Sequence, residues 1–85
     1  MPKVHRIGDI DNDGDAAITG SPNVYANNKK VVRIGDIDSD VPPDTKTTGS
    51  PNVYVNNIKV HRVRDIDSDP DMTVTGSPNV YANGT

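Results

Sequence analysis

The chain is a threefold internal repeat, and this repetition limits its possible folds more than any other feature. A first block recurs without gaps as KVHRIGDIDNDG (3–14), KVVRIGDIDSDV (30–41) and KVHRVRDIDSDP (59–70). A second block recurs as TGSPNVYANN (19–28), TGSPNVYVNN (48–57) and TGSPNVYANG (75–84). The middle repeat is two residues longer, within VPPDTKT, where we predict a surface loop. We therefore treat residues 1–85 as one domain with repeats at about 4–30, 31–59 and 60–84.

Composition favours strands over helices. Leu and Glu, two of the best helix formers, are absent, whereas Val occurs eleven times, Ile seven times and Tyr three times. The net charge of −3 offers no basic field for nucleic acid, and no apolar run approaches the roughly 20 residues that span a membrane. No cysteine is present to form a disulfide. The composition predicts a small all-β domain of short strands.

Each repeat has the pattern of a β-hairpin. The segment NVYA or NVYV alternates like a strand, and two residues that tolerate positive φ follow it. These turn pairs are Asn27–Asn28, Asn56–Asn57 and Asn83–Gly84. The next segment, KVHRI or its equivalent, is the predicted return strand, with His5, Val32 and His61 on one face and Val4, Val31 and Val60 on the other.

The two ends of the chain complement each other. The sequence begins with a return strand that lacks an outgoing partner and finishes with an outgoing strand that lacks a return. Pairing Lys3–Ile7 with Asn79–Ala82 would complete a third hairpin and hide two exposed strand edges. We therefore predict a closed ring of repeats with pseudo-threefold symmetry, since an open solenoid would need capping sequences.

The acidic segments open like a calcium loop but do not continue as one. Counting from Asp9, the twelfth position, where an EF-hand has a bidentate Glu, is Gly20. The element common to all repeats is D-I-D-x-D. Under threefold closure its aspartates would ring an axis, and oxygen ligands there favour magnesium, calcium or manganese over zinc. The candidate ligands are Asp11, Asp38 and Asp67, or Asp13, Asp40 and Asp69. The alternative is that they are exposed turn residues that accept backbone hydrogen bonds.

Two histidines form a second candidate group. His5 and His61 occupy the same repeat position and could hold a metal together with a water, but the third member of that position is Val32, which argues against a closed histidine site. The alternative is that these histidines pack in the fold or face solvent. No nucleophile turn, phosphate loop or HExxH motif is present, and repetition makes each carboxylate equivalent to two others. Because catalysis needs groups in different environments, we expect no enzyme. The TGSP segments are interpreted as structural, with glycine permitting a tight bend.

The repeats resemble the PAAR-repeat proteins. The segments GSPNVYANNKKVVRIGD (20–36) and GSPNVYVNNIKVHRVRD (49–65) are similar to that family's hallmark G-S-x-N-V-x-[VI]-N-G-x-P-A-A-R-x-G-D. Of the Pro-Ala-Ala-Arg tetrad this chain keeps the arginine, as Arg6, Arg33 and Arg62, and Arg64 replaces the third glycine of the Gly-Asp pair. The similarity extends over nearly the whole chain.

The resemblance implies a conical β domain that sharpens the trimeric β-helical spike of contractile phage tails and type VI secretion systems. One monomer would cap one spike trimer, docking by strand addition through its broad base, and would meet the target cell envelope during injection. Neither nucleic acid nor a small-molecule substrate is implied as a partner. The single-domain length leaves no room for a fused toxin, which favours a tip in the tail baseplate of a virion over export through a type VI system. The rival interpretation is a repeat module whose acidic loops bind a cation or ligand.

The chain departs from the family in its metal ligands. Members of the family often carry x-H-x-C after Gly-Asp, and those His and Cys side chains bind a metal near the apex. Here the corresponding positions hold the candidate aspartates of the D-I-D-x-D segments. The resemblance therefore implies either one structural metal ion of unknown identity, bound through carboxylates near the axis, or none.

Overall fold

The structure, a computed structural model, describes residues 1–82, and these residues are all-β with no helix among them. Four short strands are formed, β1 (Tyr25–Ala26), β2 (Lys29–Lys30), β3 (Tyr54–Val55) and β4 (Ile58–Lys59). The all-β class predicted from composition is confirmed. None of the described residues belongs to a helix long and apolar enough to cross a bilayer.

The two complete hairpins have the predicted turns. Strand β1 pairs antiparallel with β2, and β3 pairs in the same register with β4. The turn residues Asn27 and Asn28 have φ angles of 54° and 66°, and Asn56 and Asn57 have 55° and 64°. This left-handed region is one that asparagine tolerates and that a two-residue hairpin requires. The third predicted turn, Asn83–Gly84, lies outside the described residues.

The two ends of the described chain pair with each other. Lys3 and Tyr81 form an antiparallel bridge, equivalent in repeat position to the Tyr25–Lys30 and Tyr54–Lys59 pairs of the hairpins. The amide of Val4 donates to the carbonyl of Val80 at 3.0 Å. The terminal segments therefore make the contact that the sequence left open at each end.

The return segments are not the continuous strands that the sequence predicted. Val4 bridges to Arg62, Arg6 bridges to Val31, and Arg33 bridges to Val60, so each return segment alternates between the other two. Between these bridges three backbone hydrogen bonds form a cycle, with N–O distances of 2.9–3.0 Å. The amide of His5 donates to the carbonyl of His61, that of His61 to the carbonyl of Val32, and that of Val32 to the carbonyl of His5. A segment that divides its hydrogen bonds between neighbours cannot maintain a regular ladder with any one of them.

Both faces of the return segments are buried. The apolar core contains Val4, Val31 and Val60, with Ala26 and Ala82 from the hairpin side. The opposite set is buried even more completely, since His5, Val32 and His61 have no exposed area. A chain this short therefore places polar side chains at its centre. In contrast, Val41 of the predicted loop is 90% exposed, as expected for an insertion.

The glycine of each TGSP segment allows close backbone approach instead of a tight bend. None of these glycines has the left-handed φ found at Gly8, Gly14 and Gly35. A Cβ placed on Gly49 would lie 2.6 Å from the carbonyl oxygen of Val60. The same clash, at 2.8 and 2.5 Å, would occur at Gly20 and Gly76. These positions exclude side chains because a neighbouring return segment passes directly over them.

We predict that Gly49→Ala lowers the free energy of unfolding by about 1–3 kcal/mol, because the methyl group would force the two segments apart. Urea titration followed by circular dichroism measures the change. Lys29→Ala, on the exposed hairpin, is the matched control and should stay within about 0.5 kcal/mol of the parent. Equal stabilities of the Gly49→Ala variant and the parent would contradict the close approach.

Candidate metal centre

The first aspartate of each D-I-D-x-D segment is used for structure. Asp9 accepts hydrogen bonds from the Arg6 guanidinium, with Nε to Oδ2 at 2.8 Å, and from the Arg6 amide. Equivalent arginine pairs hold Asp36 at 3.1 Å and Asp65 at 2.8 Å. Burial acts to raise the pKa of Asp9, but the hydrogen bonds and charge of Arg6 outweigh it and hold that pKa below its usual value. These carboxylates are therefore not free ligands.

The second aspartates are buried at the centre of the molecule. Asp11, Asp38 and Asp67 are exposed by 1%, 0% and 2%. In each, Oδ1 accepts two backbone amides of the following turn; Asp67 Oδ1, for example, accepts from Asp69 and Asp71 at 2.9 and 2.8 Å. The sequence offered two interpretations of these aspartates, as turn residues or as residues around an axis. One oxygen of each carboxylate organises its turn, as the first interpretation states, but the side chain is buried and not exposed.

The other oxygen of each buried carboxylate is the strongest indication of a ligand site. Oδ2 of Asp11, Asp38 and Asp67 is buried and has no hydrogen-bond partner among residues 1–82. One carboxylate oxygen of each side chain lies within 4.8 Å of the others. Three atoms so placed share a point within about 2.8 Å of each, close to calcium–oxygen distances of about 2.3–2.6 Å. We call these three residues the carboxylate ring.

The third aspartates do not form a matching set. Asp13 is grouped with Asp15 and Asp40, and Asp69 is grouped with Asp40 and Asp44. Asp13 and Asp69 are exposed, so water solvates their charge. Among the described residues, Asp11, Asp38 and Asp67 come together as one group of possible ligands, whereas Asp13, Asp40 and Asp69 do not. The physical reason is that Asp13 and Asp69 lie in solvent, and only Asp40 is half-buried.

Sequence reasoning overlooked a fourth aspartate in each repeat. Asp15, Asp44 and Asp71 are half-buried, and each has an unpartnered Oδ2. Partial burial and the neighbouring carboxylates, Asp40 for Asp15 and Asp38 for Asp44, raise the pKa of both to about 6. The pKa of Asp71 is raised for the same reasons. The sequence feature that could have identified these residues is the even D-x-D-x-D-x-D spacing of the first and third repeats.

The two histidines are packed together and remain neutral. His5 and His61 lie with ring centroids 5.4 Å apart, and Nδ1 of each faces a backbone carbonyl, that of Thr75 at 3.0 Å and that of Thr48 at 2.7 Å. Burial lowers the pKa of both to about 4. His61 Nε2 forms a hydrogen bond with the Thr73 hydroxyl at 2.7 Å. Within residues 1–82 neither histidine joins a group of three metal-ligating side chains.

A lysine also reaches this core. Lys46 is only 1% exposed, and its Nζ has no hydrogen-bond partner in the described chain. Its positive charge acts on His5 and His61, whose pKa values burial lowers first and Lys46 lowers further. No sequence signal indicated it, because the equivalent positions are Ala17 and Thr73 and the residue lies within a predicted loop.

Comparison with known proteins adds no assignment: the chain matches no protein-family model, and a search of curated proteins found no match to it.

We predict that acid destabilises the protein through its histidines. Because the folded pKa of His5 is about 4 and the unfolded pKa is about 6.5, the unfolded chain binds protons first as pH falls. His5 therefore contributes stability that is present above pH 6.5 and is lost between pH 6.5 and 4. His5→Val, which copies Val32, should remove this loss, about 3 kcal/mol across that window.

Urea unfolding of parent and variant at pH 4, 5, 6 and 7.5 measures the effect. The two are compared at each pH, because Asp15 and Asp44, whose pKa values are raised, add stability toward acid in both proteins. Stability curves that stay parallel from pH 7.5 to 4 would contradict the neutral, buried state of His5.

Proposed function

We propose that this chain is a structural tip: a conical β domain with pseudo-threefold symmetry that caps and sharpens the trimeric β-helical spike of a contractile injection machine. The tail baseplate of a phage is the favoured setting, with export through a type VI secretion system as the alternative. The role is mechanical penetration of a target cell envelope, and no enzymatic step belongs to it.

The observation that carries the proposal is the cycle of backbone hydrogen bonds among His5, Val32 and His61. Each repeat donates to one neighbour and accepts from the other, and the bridge between Lys3 and Tyr81 joins the first repeat to the last. A monomer with this connectivity presents its surface three times about one centre. That is the arrangement needed to match three identical subunits of a spike.

The surface chemistry supports a docking face. Exposed apolar side chains recur at the start of the hairpin segments, where Tyr25 and Tyr54 are each 54% exposed and Tyr81 is 48% exposed. Val24 and Val80 precede two of these tyrosines and are also exposed. We propose that this threefold set forms the base that meets the spike, because aromatic residues supply much of the energy of protein interfaces.

The interior supports a mechanical role. Buried or nearly buried arginine–aspartate pairs fix the start of each acidic turn, and Arg6 also donates to the carbonyl of Gly76 in another repeat. Hydrogen bonds from side chains such as Thr75 to Asp9 and Thr19 to Asp36 join repeats in the same way. Such cross-linking resists deformation without needing a large apolar core.

We predict that the protein binds the trimeric β-helical spike of its own injection particle with one chain per trimer. Native mass spectrometry of the mixed proteins gives the ratio directly. Tyr25→Ser, Tyr54→Ser and Tyr81→Ser together should weaken binding at least about tenfold, since three equivalent anchors are lost. Asp13→Asn, Asp40→Asn and Asp69→Asn together are the control and should leave binding unchanged. A complex with three chains per trimer, or none, would refute the tip.

A second function, cation binding by the acidic segments, is favoured by the unpartnered Oδ2 atoms of the carboxylate ring. Buried charges of one sign are unfavourable unless an opposite charge compensates them. Because the ring offers only oxygen ligands, a hard divalent ion suits it better than zinc. Such an ion would serve as a structural metal beneath the apex and is compatible with the tip role.

We predict that chelator-treated protein binds one Ca²⁺ or Mn²⁺ tightly per chain in isothermal titration calorimetry, and that Asp38→Asn weakens this binding at least about tenfold by removing one ligand charge. Asn keeps the Oδ1 acceptor that organises the turn. Asp13→Asn, outside the ring, should retain tight binding. An equal loss in the Asp13 variant would move the site to the outer carboxylates, and unchanged binding in the Asp38 variant would eliminate the ring.

A further inference from the structure

The buried lysine lies in the same layer of the fold as the carboxylate ring. Lys46 bridges antiparallel to Asp67, and its amide donates to the carbonyl of Asp36 at 2.8 Å. Side chains of directly bridged residues leave a ladder on the same face. The equivalent bridges pair Ala17 with Asp38 and Thr73 with Asp11. Lys46 is therefore the amine-bearing member of the three residues that adjoin the ring.

The ammonium group of Lys46 has no hydrogen-bond partner among the described residues. Among residues 1–82, Lys46 Nζ donates no hydrogen bond and forms no ion pair. His5 Nε2, which carries a lone pair because Nδ1 faces a carbonyl, is also unpartnered in this core. Burying an unpaired ammonium is costly, so an amine on the residue that bridges to Asp67 requires an electrostatic explanation.

We propose that Lys46 sets the valence of the cation that the carboxylate ring accepts. The three carboxylates of the ring, counted without the half-buried Asp15, Asp44 and Asp71, carry three negative charges. The lysine cancels one of them, which leaves the charge that a single divalent ion neutralises. Without the lysine, the ring would be balanced by a trivalent ion. This inference rests on the cation site proposed above and adds to it a residue that selects the charge of the ligand without touching it.

The position is not dictated by repeat symmetry. Ala17 and Thr73 show that the fold accepts a small or a hydroxyl-bearing residue there, and Thr73 uses its hydroxyl for His61. The amine occurs once, in the repeat that also contains the two-residue insertion. A single amine for three carboxylates is the stoichiometry that the charge argument requires.

The test compares ions of similar size and different charge. Ca²⁺ and Tb³⁺ both prefer oxygen ligands, so the ratio of their dissociation constants reports mainly on charge. Lys46→Met, which keeps the length of the side chain, should shift this ratio in favour of Tb³⁺ by at least roughly tenfold, as expected for a unit charge within roughly 8 Å. Calorimetry and terbium luminescence measure the two affinities, and Lys29→Met is the matched control with an unchanged ratio.

The outcomes separate the role of the lysine from the existence of the site. A shifted ratio in Lys46→Met, or in Lys46→Thr if the methionine variant does not fold, supports the proposal. Binding of both ions with an unchanged ratio overturns the role of Lys46 and leaves the ring as a cation site. Failure of the parent protein to bind either ion overturns both, whereas binding to the spike would still stand.

Discussion

A cycle of three backbone hydrogen bonds joins the three repeats: the His5 amide donates to the His61 carbonyl, the His61 amide to the Val32 carbonyl, and the Val32 amide to the His5 carbonyl. Because each of these residues belongs to a different repeat, no repeat can complete its hydrogen bonding alone. Together with the other backbone hydrogen bonds between repeats, this cycle supplements the small apolar core of the chain. It also brings the three return segments so close that their side chains must share a narrow centre.

The crowding at this centre accounts for several features of the sequence. Gly20, Gly49 and Gly76 have no side chain because carbonyl oxygens of neighbouring return segments lie against them. Arg64 adopts a left-handed φ of 80° because it occupies a turn position that glycine fills in the other two repeats. The repeats are thus adapted to contacts with one another more than to their own local structure.

The same geometry turns ordinary turn aspartates into a buried cluster. Asp11, Asp38 and Asp67 each organise a local turn through Oδ1, a role that the sequence makes plain. Their burial follows only from the bridges that each forms with another repeat. Lys46 joins this environment through its bridge to Asp67. The amides of Asp15, Asp44 and Asp71 donate to the buried aspartate of their own repeat. The proposed cation site and the proposed role as a tip are compatible with one arrangement.

The sequence by itself determined the strand-forming composition, the two asparagine turns, the repeat boundaries and the complementarity of the chain ends, because these depend on local propensity and on repetition. Only the tertiary structure decided that the return segments share their hydrogen bonds among neighbours, that Asp11, Asp38 and Asp67 converge while Asp13 and Asp69 stay in solvent, and that Lys46 is buried. Those outcomes depend on which side of each segment faces the other repeats. That orientation is set by long-range pairing, which a repeat pattern indicates but does not specify.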